Sequence, residues 1–357
     1  MAKLFEAIRL RGVEVRNRIF IAPMCMYSCE DRDGMPNQWH LVHLGSRASG
    51  GAGLIIAEAT AVSPEGRITP WCTGLWNEGQ AARWAEVNQF IHSQGAKSAI
   101  QLAHAGRKAS THRESVGSVS LTDGGWQTIS STDVAFEGYA EPRKLDTDEI
   151  SGVVRAWVES AKLAVIAGFD AIEIHAAHGY LIHQFLSPIT NQRDDEYGGS
   201  LENRARLLLE ILIGIRAVIP EEMPVLIRFS ATDYREDGWT QEQCAEVAKW
   251  CADAGADLFD ISSGGLITGV NIPFGPGYQV PLAAYIAERV EEPVSAVGMI
   301  TDAHQAEEIL QAGKADVISI GRLSLRDPYW PLRAAHELGV EVDYWPRQYV
   351  RGKWPTS

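Results

Sequence analysis

The chain has 357 residues, of which 45% are hydrophobic and 22% are charged. These proportions are typical of a folded globular protein and exclude intrinsic disorder and collagen-like repeats. The formal net charge is −14 at pH 7, and an acidic surface repels phosphate backbones and anionic lipid head groups. We therefore expect neither a nucleic acid nor a membrane surface as a partner.

The cysteines and the N-terminal segment indicate in which cellular compartment the protein is found. The chain has five cysteines, Cys25, Cys29, Cys72, Cys244 and Cys251. Their number is odd, and no pair has the CxxC spacing of a zinc or redox site. Residues 1–18 alternate charged with apolar residues and lack the long apolar core of a signal peptide or membrane anchor. We expect reduced thiols and a cytoplasmic protein.

Short, nearly continuous apolar runs recur along the chain, as in parallel strands that are buried on both faces. They begin at Arg16, Gly53, Lys97, Phe169, Pro224, Asp257, Pro293 and Ala315. Stretches of helical period separate them, at 79–95, 147–168, 200–219, 240–255 and 301–313. Strands that alternate with helices in this way predict a (β/α)8 barrel of the α/β class, with the whole chain, 1–357, as one domain.

The phosphate-binding fingerprint of a doubly wound dinucleotide fold is missing from these units. No strand-turn-helix unit carries GxGxxG, and the GGAG at 50–53 precedes its strand instead of following it. Any cofactor phosphate must therefore be bound by other means.

Two spacings are too long for one βα unit, 106–145 after the third strand and 179–199 after the fourth. Because the loops that follow barrel strands carry active sites, we interpret both as covers of an active site. The tail, 343–357, is rich in aromatic and basic residues, and we expect it to pack against another surface.

Polar residues stand where the interior of a barrel strand should be apolar. They include Gln101, His104, Glu173, His175, His178, Arg228, Ser262 and Ser263. Any one of them alone could be a structural hydrogen-bonding group, but their shared position at the strand ends favours an active site. An amide and a cation such as Gln101 and Arg228 suit a planar heterocycle that carries carbonyl groups.

The segments after strands seven and eight contain Gly298 and Gly321-Arg322. Barrels commonly bind phosphate at this position through backbone N–H groups, and an arginine adds a charge-assisted donor. The alternative is that these glycines only make tight turns.

Three interpretations are open for His175, His178 and Tyr180. The histidine pair could ligate a metal together with Glu173, although no ligand set is complete. The three could instead polarise a carbonyl oxygen and deliver a proton beside it, or form a satisfied structural cluster. We predict no metal site.

Long segments of the chain resemble the old yellow enzymes, which are FMN-dependent ene-reductases, and most of all their bacterial, thermophilic-type and xenobiotic-reductase-like branch. The segments, each given with the number of its first residue, include NRIFIAPMCMYS at 17, GAGLIIAEATAVSPEGR at 51, IQLAHAGRKAS at 100, EIHAAHGYLIHQFLSP at 173, IRFSATD at 227 and SIGR at 319. The resemblance covers nearly the whole chain, and only 112–145 adds little to it.

The resemblance implies a reaction and its catalytic residues. NADPH, with NADH as an alternative, would reduce the flavin, which would then pass hydride from N5 to the β-carbon of an α,β-unsaturated carbonyl compound in a ping-pong cycle. His175 and His178 would hold the substrate's carbonyl or nitro oxygen, Tyr180 would protonate the α-carbon, and Tyr27 would line the pocket. Nitro compounds and quinones are further acceptors of this family.

The resemblance also assigns the FMN site. Gln101 and Arg228 would contact the pyrimidine edge, where Arg228 would stabilise the anionic reduced flavin. The other contacts would come from Ala22, Pro23, Met24, Cys25, Ala59, Val297, Gly298, Gly321 and Arg322. Cys25 marks the branch, because other old yellow enzymes have threonine at this position.

An arginine of the C-terminal tail enters the neighbouring subunit's active site in this branch, and Arg351 matches it. The resemblance therefore implies a homodimer or a homotetramer of dimers. The chain departs from the shorter family pattern here, because Lys353, Trp354 and three further residues follow Gly352.

Other functions compatible with these residues are a lyase or hydrolase built on His175, His178 and Glu173, and a flavin-binding protein without catalysis. Dienoyl-CoA reductase has a similar barrel, but it continues into iron–sulfur and dinucleotide-binding domains.

Overall fold

Eight parallel strands close into a barrel in the computed structural model, which describes residues 2–114 and 116–355. The strands are β1 Ile19–Ile21, β2 Leu54–Ala61, β3 Lys97–Ala103, β4 Ala171–Ala176, β5 Val225–Ser230, β6 Leu258–Ser262, β7 Val294–Ala296 and β8 Val317–Ile320. They follow one another in chain order around the barrel, and β8 pairs with β1 to close it. Each strand lies in one of the predicted apolar runs, so the predicted (β/α)8 barrel is confirmed.

The helices surround the barrel. They are α1 Gln38–Ser49, α2 Glu78–Ser93, α3 Thr147–Ile166, α4 Leu181–Leu186, α5 Leu201–Arg216, α6 Gln241–Asp253, α7 Val280–Ala287, α8 Ala303–Gln311, α9 Arg322–Arg326 and α10 Trp330–Glu337. The five stretches of predicted helical period are α2, α3, α5, α6 and α8. At the start of four of these helices, the side chain of the N-cap residue accepts a hydrogen bond from a backbone N–H group of the first turn. These N-cap residues are Asn77, Ser200, Thr240 and Asp302.

The floor of the barrel is apolar. The antiparallel strands Ile8–Leu10 and Val13–Val15 lie beneath it and pack into the same cluster as inward side chains of the barrel strands. These inward residues include Ala99, Ala171, Leu226 and Leu258. Because side chains alternate along a strand, the residue two positions further along each strand faces the same interior, one layer closer to the C-terminal ends.

The excursion after β3 lies over the C-terminal face. It contains 3-10 turns at Gly106–Lys108 and Leu121–Asp123 and a short parallel pair between Ile129–Ser130 and Arg143–Lys144. Arg107 Nη2 donates to the Leu266 carbonyl beyond β6 at 2.7 Å. The excursion is therefore anchored across the strand ends.

The tail packs against its own chain over residues 343–355, whereas 356 and 357 of the predicted tail lie outside the described residues. The Trp354 ring stacks on His336 of α10, with centroids 5.2 Å apart, and Asn17 donates to the Tyr344 hydroxyl at 3.0 Å. None of the helices in the described residues combines the length and apolar character that a membrane crossing requires.

Candidate active site

Four polar side chains form the layer above the apolar floor. Gln101, Glu173, Arg228 and Asp260 stand two positions after the floor residues of β3 to β6, and each is less than a tenth exposed. Gln101 pairs in register with Glu173, and Arg228 with Asp260. Gln101 Nε2 donates to Glu173 Oε1 at 2.7 Å, and Arg228 Nε lies 3.2 Å from Asp260 Oδ2.

This layer contains two carboxyl groups and one guanidinium. Burial, together with the neighbouring Asp260, raises the pKa of Glu173 to about 8 against the pull of Arg228 and Gln101. Burial also raises the pKa of Asp260. Because two buried carboxylates cannot both remain charged beside one cation at little cost, we infer that the pair carries a proton at neutral pH.

The polar layer leaves hydrogen-bonding capacity unused. In the described residues, Glu173 Oε2 and both Asp260 oxygens lack a partner in hydrogen-bonding geometry, and Arg228 Nε has only the 3.2 Å ion-pair contact with Asp260. Buried polar atoms without partners are rare in folded proteins and often mark the position of a ligand or an ordered water. The Arg228 guanidinium also lines the cavity beyond β7 and β8.

His175, His178 and Tyr180 meet at the end of β4. His175 is the fifth residue of the strand, His178 lies in the turn, and Tyr180 is the N-cap of α4. The His175 ring centroid lies 5.2 Å from that of His178 and 5.0 Å from that of Tyr180, both edge to face. The predicted trio is therefore a contact cluster and not two residues on one helical face.

Both imidazoles are neutral at pH 7. Burial, followed by repulsion from Arg228, lowers the pKa of His175 and of His178 well below 6.5. The Ala177 N–H donates to His175 Nδ1 at 3.3 Å, which leaves the proton on Nε2. His178 Nε2 lies 2.8 Å from Ser262 Oγ. Each uncharged ring therefore carries one N–H, and that of His175 is on Nε2.

Tyr180 keeps its phenol proton. Burial raises the pKa of Tyr180 well above 10. Its ring packs beside Cys25 and Tyr27 against a small apolar cluster that contains Ala59 and Cys72. This cluster brings together residues that the resemblance assigned to the substrate pocket and to the flavin ring.

The segment after β1 carries Ala22, Pro23, Met24 and Cys25. The Ala22 N–H donates to the Ile320 carbonyl at 3.1 Å, which joins the ends of β1 and β8. The Met26 N–H donates to Glu58 Oε2 at 2.9 Å, and the other oxygen of Glu58 lies 3.2 Å from His40 Nε2. Buried polar contacts thus fix the path of this segment over the strand ends.

A cavity of about 230 Å³ opens beyond β7 and β8. It is lined by the predicted residues Arg228, Val297, Gly298, Gly321 and Arg322, and also by Ser262, Gln279 and Arg326. In the described part of the chain, neither Arg322 nor Arg326 forms an ion pair. A Cβ on Gly321 would have only Met24 Sδ within 4 Å, at 3.7 Å, so it would project into this space.

These features fit FMN. The guanidinium of Arg228 beside a buried amide suits the carbonyl edge of a flavin, and two arginines without an ion pair beside a glycine suit its phosphate. Arg351 is not among these residues, because it lies on the exposed 3-10 turn Arg347–Gly352.

Some residues of the site were not predicted. Asp260 could have been found, because it follows the inward Leu258 by two positions. Arg326 could also have been found, since it lies one helical turn after Arg322. Gln279 stands at the start of α7 and has no sequence signal.

All five cysteines are free thiols. Four of them, Cys29, Cys72, Cys244 and Cys251, are buried, and burial raises the pKa of each. Within the described ranges, no group of three or more His, Cys, Asp or Glu side chains is arranged to hold a metal ion.

Comparison with known proteins gives consistent matches over nearly the whole chain. The model of the NADH:flavin oxidoreductase / NADH oxidase family matches residues 3–341. An NADPH dehydrogenase of Halalkalibacterium halodurans is 46% identical over 349 residues, which cover 98% of this chain and 98% of that protein.

Solved structures agree with this match. The old yellow enzyme homologue of Zymomonas mobilis superposes with a TM-score of 0.80 at 29% identity, and the match covers 99% of each chain. A 2-naphthoyl-CoA reductase matches with a TM-score of 0.87 at 28% identity over 94% of this chain, but this chain spans only 52% of that one. The family implies an FMN cofactor, and the name of the bacterial relative implies NADPH. The protein is an oxidoreductase and belongs to the NADH:flavin oxidoreductase / NADH oxidase family, among the relatives of the old yellow enzymes.

Proposed function

We propose that the protein uses NADPH to reduce the activated C=C bond of α,β-unsaturated carbonyl compounds in a ping-pong cycle, with nitro compounds and quinones as further acceptors. The observation that carries this proposal is the cluster of two neutral imidazoles and one protonated phenol, His175, His178 and Tyr180. It lies at the end of the same strand that contributes Glu173 to the polar layer. Bound FMN would supply the hydride from N5 to the β-carbon after NADPH has reduced it.

His175 and His178 hold the carbonyl oxygen in this proposal. Reduction at the β-carbon develops enolate charge on that oxygen, and neutral N–H donors stabilise it without a competing proton transfer. A donor of this kind is worth about 2.7 to 4 kcal/mol where it has been removed from oxyanion holes. The hydrogen bond from the Ala177 N–H to His175 Nδ1 supports the role. Because Nδ1 acts as the acceptor, the ring proton is on Nε2, on the side of the ring away from this backbone N–H.

Tyr180 supplies the proton to the α-carbon. Its raised pKa means that the phenol is protonated across the physiological range, so it acts as an acid and not as a base. Tyr27, which packs in the same cluster, lines the pocket in which the alkene is held.

The FMN contacts follow the sequence assignment. Gln101 and Arg228 hold the pyrimidine edge, and the remaining contacts come from Ala22, Pro23, Met24, Cys25, Ala59, Val297, Gly298, Gly321 and Arg322. A cavity lined by Arg228, Val297, Gly298, Gly321 and Arg322 supports the assignment of these five residues.

We also propose that the chain is one cytoplasmic FMN-binding domain that assembles as a homodimer or a homotetramer of dimers, in which Arg351 enters the neighbouring active site. The exposure of the side chain supports this role. In the described residues Arg351 forms no ion pair, and the adjacent Tyr349 and Val350 are 49% and 47% exposed.

Anaerobic half-reactions test the function. The purified protein is reconstituted with FMN, bleached with NADPH under anaerobic conditions, and mixed with 2-cyclohexen-1-one, a nitroarene or a benzoquinone. We expect the flavin absorbance to return with the enone and the product to be the saturated ketone. A colourless protein that takes up no FMN would instead support a lyase or hydrolase on the same residues. A flavin that NADPH does not bleach would indicate binding without catalysis.

A further inference from the structure

Lys108 lies in the excursion after β3 and bridges two loops. Its Nζ donates to the His178 carbonyl at 2.9 Å and to the Gly265 carbonyl at 2.9 Å. The first carbonyl belongs to the turn that follows β4, and the second belongs to the loop that follows β6. Ser230 Oγ also links the two loops, since it accepts from the His178 N–H at 2.9 Å and donates to the Gly264 carbonyl at 2.8 Å. Lys108 therefore supplies the bridge on the carbonyl side of His178.

The two loops that Lys108 joins are in direct backbone contact. A Cβ on Gly179 would lie 2.4 Å from the Gly265 carbonyl oxygen, and a Cβ on Gly265 would lie 2.8 Å from the Cα of His178. The φ angles are +58° at His178, +72° at Gly179 and +88° at Gly265. A left-handed conformation is uncommon for residues other than glycine, so contacts with the surroundings help to hold His178 there.

The surroundings of the ammonium are closed on two sides by aromatic rings. Lys108 Nζ lies 5.1 Å from the ring centroid of Tyr180 and 4.6 Å from that of Phe136. Both distances are in the range of cation–π contacts. Burial, followed by repulsion from Arg107, lowers the pKa of Lys108 to about 8, which agrees with an enclosed position.

We propose that Lys108 is a positioning residue, whose ammonium holds the His178 carbonyl against the β6 loop and thereby fixes the His178 imidazole and the following Tyr180 in the active site. Without the ammonium, two carbonyl oxygens from abutting loops would face each other with no donor between them. The His178 backbone would then relax from its left-handed conformation and carry the imidazole away from Ser262. This inference rests on the proposed roles of His178 and Tyr180.

Hydrogen exchange tests the positioning independently of the activity. We compare FMN-loaded wild type with Lys108→Met, Lys108→Arg and the control Lys144→Met, which alters an exposed lysine of the same excursion. We expect Lys108→Met to raise exchange about tenfold in peptides that cover 176–182 and 263–267, since one charged hydrogen bond is lost from each loop. Lys108→Arg should restore part of the protection, and Lys144→Met should change neither peptide.

Enone binding supplies the functional readout. In the half-reaction of reduced enzyme with enone, we expect Lys108→Met to weaken the apparent affinity about tenfold, with partial rescue in Lys108→Arg. If Lys108→Met does not fold, Lys108→Gln, which keeps an uncharged donor, is measured in its place. Exchange in both peptides at the wild-type rate would overturn the proposal, whatever the activity. If wild type itself reduces no enone, the proposed function fails, and the exchange result still decides whether Lys108 holds the turn.

Discussion

Arg228 and Asp260 pair at 3.2 Å between adjacent strands of the barrel, and the carboxyl group of Glu173 interacts with both. Since this layer contains one more carboxyl group than cations and all three side chains are buried, its proton content depends on pH. The layer lies next to the cavity that Arg228 lines. We therefore expect the charge on its carboxyl groups to affect both the free energy of unfolding and the affinity for the cofactor.

The first prediction concerns stability and Glu173. The folded-state pKa of about 8 exceeds the unfolded value of about 4.3, so the folded state binds more protons between these two pH values. Stability is then lost as pH rises through this window. Glu173→Gln cannot titrate, so its free energy of unfolding should rise relative to wild type from about pH 5 to about pH 8. Urea denaturation at a series of pH values measures the difference, with the exposed Glu291→Gln as control. A difference that does not vary with pH would contradict the shared proton.

The second prediction separates the two arginines of the cavity. Arg228→Met leaves buried carboxyl groups without their cation and should lower the free energy of unfolding by about 3 to 5 kcal/mol. The variant should also lose its bound FMN. Arg322→Met removes an exposed side chain, so it should weaken FMN binding about tenfold at wild-type stability. Urea denaturation and titration of the apoprotein with FMN measure both quantities. Equal loss of stability in the two variants would argue against the buried layer.

The third prediction uses a matched pair of glycines. Gly179 and Gly199 have φ angles of +72° and +80°, but only Gly179 would direct a Cβ into a neighbouring backbone, whereas nothing lies within 4 Å of a Cβ on Gly199. Gly199→Ala should cost about 1 kcal/mol for the left-handed conformation alone. Gly179→Ala should cost about 2 to 4 kcal/mol, since overpacking is added, and should impair enone reduction. Similar costs for both would contradict the close approach of the two loops.

The fourth prediction concerns Arg351. Arg351→Ala and Tyr180→Phe, each of which we expect to impair enone reduction, are co-expressed with different tags and the mixed assembly is isolated. If Arg351 acts in the neighbouring site, one site of the mixed dimer has both native residues, and enone reduction should recover to about half of the wild-type rate per dimer. If Arg351 acts in its own subunit, no site in the mixed dimer is native and activity stays at the level of the variants.

The sequence predicts the barrel well, because a strand that is buried on both faces consists of a continuous run of apolar residues. The period of two along those strands also brings Gln101, Glu173 and Arg228 to one layer. It does not reveal the bridge from Lys108 to His178 and Gly265, because this contact depends on how loops far apart in the chain meet over the strand ends. Helix α1 was missed as well, since its start depends on a local capping box between Asn37 and His40 and not on a strong apolar period.

The most direct test of the proposed chemistry is the effect of Tyr180→Phe on the two half-reactions, measured by anaerobic stopped-flow absorbance. The substitution keeps the ring that packs against His175 and removes only the acidic proton. Oxidation of the reduced enzyme by 2-cyclohexen-1-one should slow about 10²- to 10⁴-fold, the usual contribution of a general acid, while reduction by NADPH stays close to the wild-type rate. Equal slowing of both half-reactions, or wild-type rates in both, would contradict the assignment of Tyr180 as the proton donor.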